Sequence, residues 1–276
     1  MSALRASQPK PLGRGSANIA SGASRNPEKI MIKRIFKKYG RAYIDESTGV
    51  IYPGVTTILD IMDKRLDYWK MMQSGNYIKE EVCKAHEGVR LLDWVDILKE
   101  SKKAPDKYRD SKGAQGTRIH KVIERELNGE DISADLRDDA KLTAIMVQIR
   151  KWIKENKLEP ILVEGYLLSK TYRYAGAVDL VAKQNTPEHG EQTVLVDFKT
   201  GKSIQDVAKW QLAAYCNAFH EQFGGTIDIA FIQHISYDNQ IIAEASHLHK
   251  EEINTEFEKF LHIYGAFKAR WERELQ

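Results

Sequence analysis

The sequence predicts a mixed α/β (α+β) fold: a central mixed β-sheet flanked by helices, with an N-terminal helical extension. Three observations predict it. A helix-period stretch at 116–127 is followed by period-two segments at 161–168, 174–181 and 193–199. A helical run carrying Trp210 to Tyr215 then separates these from strand-like segments at about 226–236 and 240–247. A long amphipathic helix from about 250 to 273 closes the chain.

With 276 residues and 42% hydrophobic content, the chain can bury a substantial core, most simply as one large domain with appendages. Its two cysteines, Cys83 and Cys216, lie far apart and in no metal-binding spacing. That argues against a disulfide framework, a zinc ribbon or a four-cysteine iron–sulfur cluster. No apolar run approaches the roughly 20 residues that span a bilayer, so no membrane is expected as a partner. The net charge of +3 hides an asymmetry: residues 1–41 hold ten Lys/Arg against one acid, Glu28, which leaves 32 basic and 38 acidic residues elsewhere.

Residues 1–29 are rich in Ser, Ala, Gly, Pro and Arg and cannot bury enough surface to offset chain entropy, so they are expected to be a disordered basic tail. Similar composition marks mitochondrial transit segments, but Pro9, Pro11, Gly13 and Gly15 would interrupt the amphipathic helix such a segment needs. A flexible cationic tail that touches nucleic-acid phosphates, or one that is simply solvated, are the other readings.

Residues 30–110 are expected to form a β-hairpin and helical region. Strand-like pieces at 32–39, 42–44 and 50–52 surround a turn at 45–49, and Pro53-Gly54 breaks the chain. A helix opens at Val55 with Thr56 or Thr57 as its cap, and helical character runs to about residue 100. The polar stretch 102–112, with Pro105, is a loop or the start of the next helix.

The helix at 116–127 buries a stripe of Ile119, Val122, Ile123 and Leu127 and ends at Gly129. Gly116, His120 and Glu124 recur every four residues on an adjoining stripe. A glycine within a helix costs about 1 kcal/mol relative to alanine, and close approach of another group is its usual justification. A further helix spans about 136–156, residues 185–192 are a flexible connection, and Ser203 with Asp206 forms a capping-box pattern before the next helix. Gln211 and Tyr215 share a face of that helix.

The chemistry concentrates in Val178-Asp179-Leu180 and in Val194-Leu195-Val196-Asp197-Phe198-Lys199-Thr200. Asp197 and Lys199 are two apart and face the same side of a strand otherwise built from Val, Leu and Phe. Charges buried there need partners. Two readings stand: a divalent cation held by Asp179 and Asp197 with Lys199 beside it, or a structural Asp–Lys ion pair.

Taken in order, the pattern G-x-x-x-H on a helix (Gly116, His120), Glu164 on a strand, G-x-x-D (Gly176, Asp179), D-x-K (Asp197, Lys199) and Q-x-x-x-Y on a helix (Gln211, Tyr215) resembles the RecB-type exonuclease branch of the PD-(D/E)XK nuclease superfamily. The resemblance covers about residues 110–247, and D-x-K alone would be weak. Upstream, 52–59 with Trp69 is similar to a subgroup that includes mitochondrial genome maintenance exonuclease and bacteriophage exonucleases, with Gly54 where that subgroup usually has Ser.

The resemblance implies a restriction-endonuclease-like core over 111–276 and a metal-dependent hydrolysis of phosphodiester bonds. It implies His120, Asp179, Asp197 and the carbonyl of Phe198 as ligands of Mg²⁺ or Mn²⁺. Asp179, Asp197, Lys199 and Glu164 would be the catalytic set, with Lys199 orienting water and stabilising charge on the phosphate. Gln211, Tyr215, Thr200, Lys202 and Arg173 are candidates for substrate contact. The expected partner is DNA, single-stranded or with a free end, in replication, repair or recombination. An endonuclease with the same site, or a binding protein without catalysis, are the alternatives. A closed arch built from 30–110 would separate the exonuclease from the endonuclease by admitting only free ends. Tyr52, Trp69, Tyr77 and Trp94 could stack unpaired bases. A bacterial or phage-infected cytoplasm is the expected setting, with the mitochondrial matrix as the alternative.

Overall fold

Period-two alternation in five segments builds a five-stranded mixed sheet of order β4-β5-β6-β7-β8, formed by Leu158–Ser169, Tyr174–Thr186, Gly190–Lys199, Ile229–Ser236 and Ile241–His249. The structure is a computed structural model and describes residues 31–62, 67–85, 91–201 and 206–274. The proposed basic tail at 1–29, Lys202 and Ser203 lie outside the described residues.

The sheet is antiparallel except between β6 and β7, which run parallel. Parallel neighbours need a crossover, and α7 (Val207–Phe223) supplies it. Val194, Val196 and Phe198 of β6 pack on one face against α4 (Ala104–Leu127) and α6 (Ala140–Glu155). Leu195 packs on the other face against α7 and α8 (Lys250–Arg270). The sheet is thus covered on both sides, and its central strands read as near-continuous apolar runs.

A second sheet, β1-β2-β3 (Ile32–Lys37, Gly40–Asp45, Ile51–Pro53), packs Tyr43 and Tyr52 onto Leu168 and Ala175. A bridge between Gly54 and Ala175 ties it to β5. Between it and α4 stand α1 (Val55–Leu59), α2 (Asp67–Lys84) and α3 (Leu91–Ser101), and α5 (Ser133–Leu136) precedes α6. Among the described residues, no helix is long and apolar enough to cross a membrane.

Four expectations change. Neither Thr56 nor Thr57 caps α1: Gly54 holds that position, and the Thr57 hydroxyl donates to the Arg41 carbonyl at 2.9 Å. α4 starts twelve residues before Gly116, because Pro105 sits in its first turn, where the missing N–H costs nothing. The connection at 185–192 is mostly strand, with β5 and β6 paired out to Thr186 and Gly190. Asp206, not Ser203, precedes α7, and its side chain makes no capping bond.

Candidate active site

The β5–β6 ladder stops at Leu180–Val196. Val178 packs into the α7–α8 core and Leu180 into the opposite one, so the alternation slips at Asp179. The two strands therefore part where their carboxylates lie, and the Asp179 carboxylate takes the place of the missing ladder by accepting from the Phe198 N–H at 2.6 Å. Across β4, Glu164 has φ +46 and is not a ladder partner of Asp179, although the register on either side would oppose them. A left-handed conformation is unfavourable for a glutamate. Gly165 makes the local chain path possible, because the Leu162 side chain occupies the space where a Cβ would sit.

His120 closes the group from α4. Its Nδ1 lies 3.2 Å from Asp179 Oδ1 and 3.8 Å from Glu164 Oε1. One ligating atom from each of His120, Glu164 and Asp179 falls within 4.8 Å of the others. Gly116, one turn before His120, is buried, and a Cβ there would stand 2.6 Å from Thr200 Oγ1. The mid-helix glycine thus permits close approach of the segment after β6, as its placement in the sequence suggests.

Asp197 and Lys199 face α7. Asp197 is 4% exposed; its Oδ2 lies 2.7 Å from Lys199 Nζ, but out of line for a hydrogen bond, and its Oδ1 accepts from Gln211 Nε2 at 3.2 Å. Gln211 also accepts from Lys199 at 2.9 Å and donates to the Tyr215 hydroxyl at 2.9 Å. Tyr215 is buried, and its ring fills the space a side chain at Gly176 would need, 2.4 Å from an ideal Cβ. Asp197 thus has the ion pair with Lys199, whereas Asp179 stands with His120 and Glu164; the expected pairing of Asp179 with Asp197 is not the grouping found among the described residues.

Electrostatics favours a cation in this cluster. Burial disfavours a charged His120 imidazole. Hydrogen bonds to Asp179 and Glu164, with the charges of Asp179 and Asp197, outweigh that and lift it to about 10. Burial pushes the Asp197 carboxyl above its ordinary range, opposed by Lys199 and reinforced by Asp179. With Asp197 matched by Lys199, the carboxylates of Glu164 and Asp179 flank His120, and a divalent cation with oxygen and imidazole ligands would take the place of the proton they hold there. The residues present therefore fit such an ion, with His120, Glu164 and Asp179 as the group placed to hold it.

Of the remaining candidates, Phe198 offers its N–H to Asp179 and sets its ring edge-on to His120 at 6.5 Å. Thr200 packs on Gly116. Arg173 sits in the β4–β5 turn, where its carbonyl accepts from Tyr264. Six residues along the strand from Asp179, it is about 20 Å from the cluster. Gln211 and Tyr215 point into the protein and hold Asp197 and Lys199 rather than facing solvent.

The sequence reading did not single out Asp139 or Tyr237. Asp139 caps α6 through Leu142 N–H and accepts from Arg118 of α4 and from the Tyr237 hydroxyl, so it braces the helix that carries His120. An aspartate just before an amphipathic run was the available signal.

A sequence model of the PD-(D/E)XK nuclease superfamily matches residues 96–263, more than half of the chain. No curated protein matches it. Among solved structures, an alkaline exonuclease (LHK-Exo) from Laribacter hongkongensis is 12% identical, with 58% of this chain and 84% of that one covered at a TM-score of 0.27. The same exonuclease in complex with dAMP is 15% identical, with the same shares covered at a TM-score of 0.25. Overlays this loose carry no argument about activity. The sequence match spans α4 with His120, all five strands of the large sheet and α7, and on that ground the chain belongs to the PD-(D/E)XK nuclease superfamily.

Proposed function

We propose that this chain is a divalent-metal-dependent DNA exonuclease that hydrolyses phosphodiester bonds, with single-stranded DNA or a free DNA end as substrate. The observation that carries the proposal is the convergence of His120, Glu164 and Asp179 beside the Asp197–Lys199 pair. Mg²⁺ or Mn²⁺ bound there supplies Lewis-acid polarisation of a phosphoryl oxygen and neutralises charge.

The chain's own residues do the rest. His120, Glu164 and Asp179 hold the ion, and the Phe198 N–H fixes the Asp179 carboxylate. Asp197 and Gln211 hold the Lys199 ammonium in place while its side chain stays 29% exposed, towards a substrate. The ammonium's positive charge, and the donors not taken by Gln211, orient the attacking water and stabilise charge on the phosphate as it passes through the transition state. Water adds to phosphorus and the bond to the 3′ oxygen breaks, which leaves a 5′-phosphate and a 3′-hydroxyl. Exonuclease action in replication, repair or recombination rests on the Gln211–Tyr215 pattern of the resembling branch.

Purified protein with Mg²⁺ is expected to degrade end-labelled linear single-stranded DNA, to spare a single-stranded circle, and to stop when the metal is chelated. Cutting of the circle would mean an endonuclease with the same site. No metal-dependent cleavage of linear, circular or duplex DNA would overturn the catalytic reading.

A further inference from the structure

The edge strand β1 pairs with β2 so that Arg34 opposes Tyr43 and Phe36 opposes Arg41. By strand parity Arg34, Phe36, Arg41 and Tyr43 all stand on one face, with Arg34 and Arg41 as diagonal neighbours about 7–8 Å apart. Phe36 is 76% exposed, which is unusual for an aromatic side chain on a six-residue strand. Arg34 is exposed and Arg41 half-buried. Among the described residues, neither guanidinium has a carboxylate partner, whereas Lys33 and Lys38 nearby are paired with Glu46 and Glu274.

This face does not end in solvent. Tyr43 meets Tyr166 of β4 edge-on at 5.5 Å, and Tyr166 lies two residues beyond Glu164 on the same strand. Tyr43 is itself buried, so the ring contact joins the two sheets beneath the surface, and half-buried Tyr166 brings the small sheet up to the strand that carries Glu164. Both guanidiniums also act on the Tyr43 phenol: its burial raises it, against the pull of Arg41 and Arg34.

We propose that the face bearing Arg34, Phe36 and Arg41, continued by Tyr166, is the track on which an unpaired DNA strand lies as it enters the His120–Glu164–Asp179 cluster. The two guanidiniums take phosphates, and Phe36 stacks on a base. An exposed aromatic ring beside two guanidiniums that have no carboxylate partner among the described residues is the combination that recognises single strands without reading sequence. A duplex would present its phosphates but no open base face to Phe36. The inference rests on the nuclease reading and adds where its substrate binds.

The test is fluorescence anisotropy of a labelled single-stranded oligonucleotide on the full chain, in chelator so that nothing is cut, across a salt series. Arg34→Ala with Arg41→Ala is expected to weaken binding at least tenfold and to reduce the log–log salt slope by about 1.4, the value for two phosphates on a single strand. Phe36→Ala is expected to weaken binding about fivefold or more with the slope unchanged, as a stacking contact should. Lys33→Ala with Lys37→Ala, on the opposite face of the same strand, is expected to change affinity less than twofold. Arg34→Ala alone guards against misfolding of the double variant, since its side chain is exposed.

Equal losses from the two faces, or no effect of Phe36→Ala, would reduce the track to general basic attraction and overturn the proposal. Unchanged affinity in all variants would place the strand elsewhere while leaving metal-dependent cleavage intact. Absence of both binding and cleavage by the unaltered chain would overturn the nuclease reading itself.

Discussion

α2 and α7 are helices of 18 and 17 residues with opposite surroundings. α7 buries nine side chains, among them Ala208, Ala213, Ala214 and Ala218, between the large sheet and α8. α2 has no buried residue and exposes Tyr68, Met71 and Met72. Short alanine side chains let α7 approach the sheet closely, and a helix held that way can bury a glutamine whose every polar atom is used. Gln211 is that residue, bonded to Asp197, Lys199 and Tyr215. The side chains that position Asp197 and Lys199 thus sit on a helix packed on both sides, as precise charge placement requires. α2 and α3 lie outside that constraint.

Asp179→Ala should lower the rate of DNA cleavage at least about a thousandfold, equivalent to roughly 4 kcal/mol of barrier. The same variant should lose only about 1–3 kcal/mol of stability, the cost of leaving the Phe198 N–H without its acceptor; global unfolding would mean that the lost cleavage reflects the fold rather than the site. Next, Leu212→Ala in α7 should cost about 2–5 kcal/mol by denaturant unfolding, because Leu212 is fully buried. Met71→Ala on exposed α2 should stay within about 0.5 kcal/mol. Similar costs at the two positions would erase the distinction between the helices.

Gly176→Ala is the sharper probe, since the added methyl would meet the Tyr215 ring. It should cost about 1–3 kcal/mol of stability as overpacking. It should also slow cleavage by shifting Gln211 away from Asp197 and Lys199. Normal activity at reduced stability would show that the Gln211–Tyr215 bond is structural alone.

The smallest effect concerns Asp139. Burial raises its pKa, but the Leu142 N–H, the Tyr237 hydroxyl and Arg118 outweigh that and hold it below the ordinary carboxylate value. A carboxyl depressed in the folded state stabilises above its unfolded pKa of about 3.9 and loses that contribution as pH falls through the folded value. Asp139→Asn should therefore be about 1–2 kcal/mol less stable at neutral pH. Its stability should fall less steeply than that of the unaltered chain on acidification towards pH 3, followed by urea unfolding across the series. Parallel curves would remove Asp139 from the acid response.

Much of the fold was legible because its signals are local. Period-two runs located β4 to β8, and the helical period located α4, α6, α7 and α8, since the apolar side chains on these elements are the ones the sheet and helices bury against each other. The paired spacings Asp197–Lys199 and Gln211–Tyr215 also survive, because neighbours two apart on a strand or four apart on a helix must share a face. Element ends were less legible. The start of α4 at Ala104 and the long β5–β6 hairpin come from packing that a polar stretch does not announce.

The chain's own order of residues determined the layered α/β architecture, the strand that carries Asp197 with Lys199, and the need for a small residue at Gly116; that Gly176 makes room for the Tyr215 ring came from the structure. Only the tertiary structure decided which carboxylates keep company. Asp179 and Glu164 meet His120, while Asp197 turns to Lys199 and Gln211. The physical reason lies in the parting of β5 from β6 at Leu180 and the left-handed turn at Glu164. Both are breaks in the regular alternation from which a sequence is read, and they exist because several elements press on those strands at once.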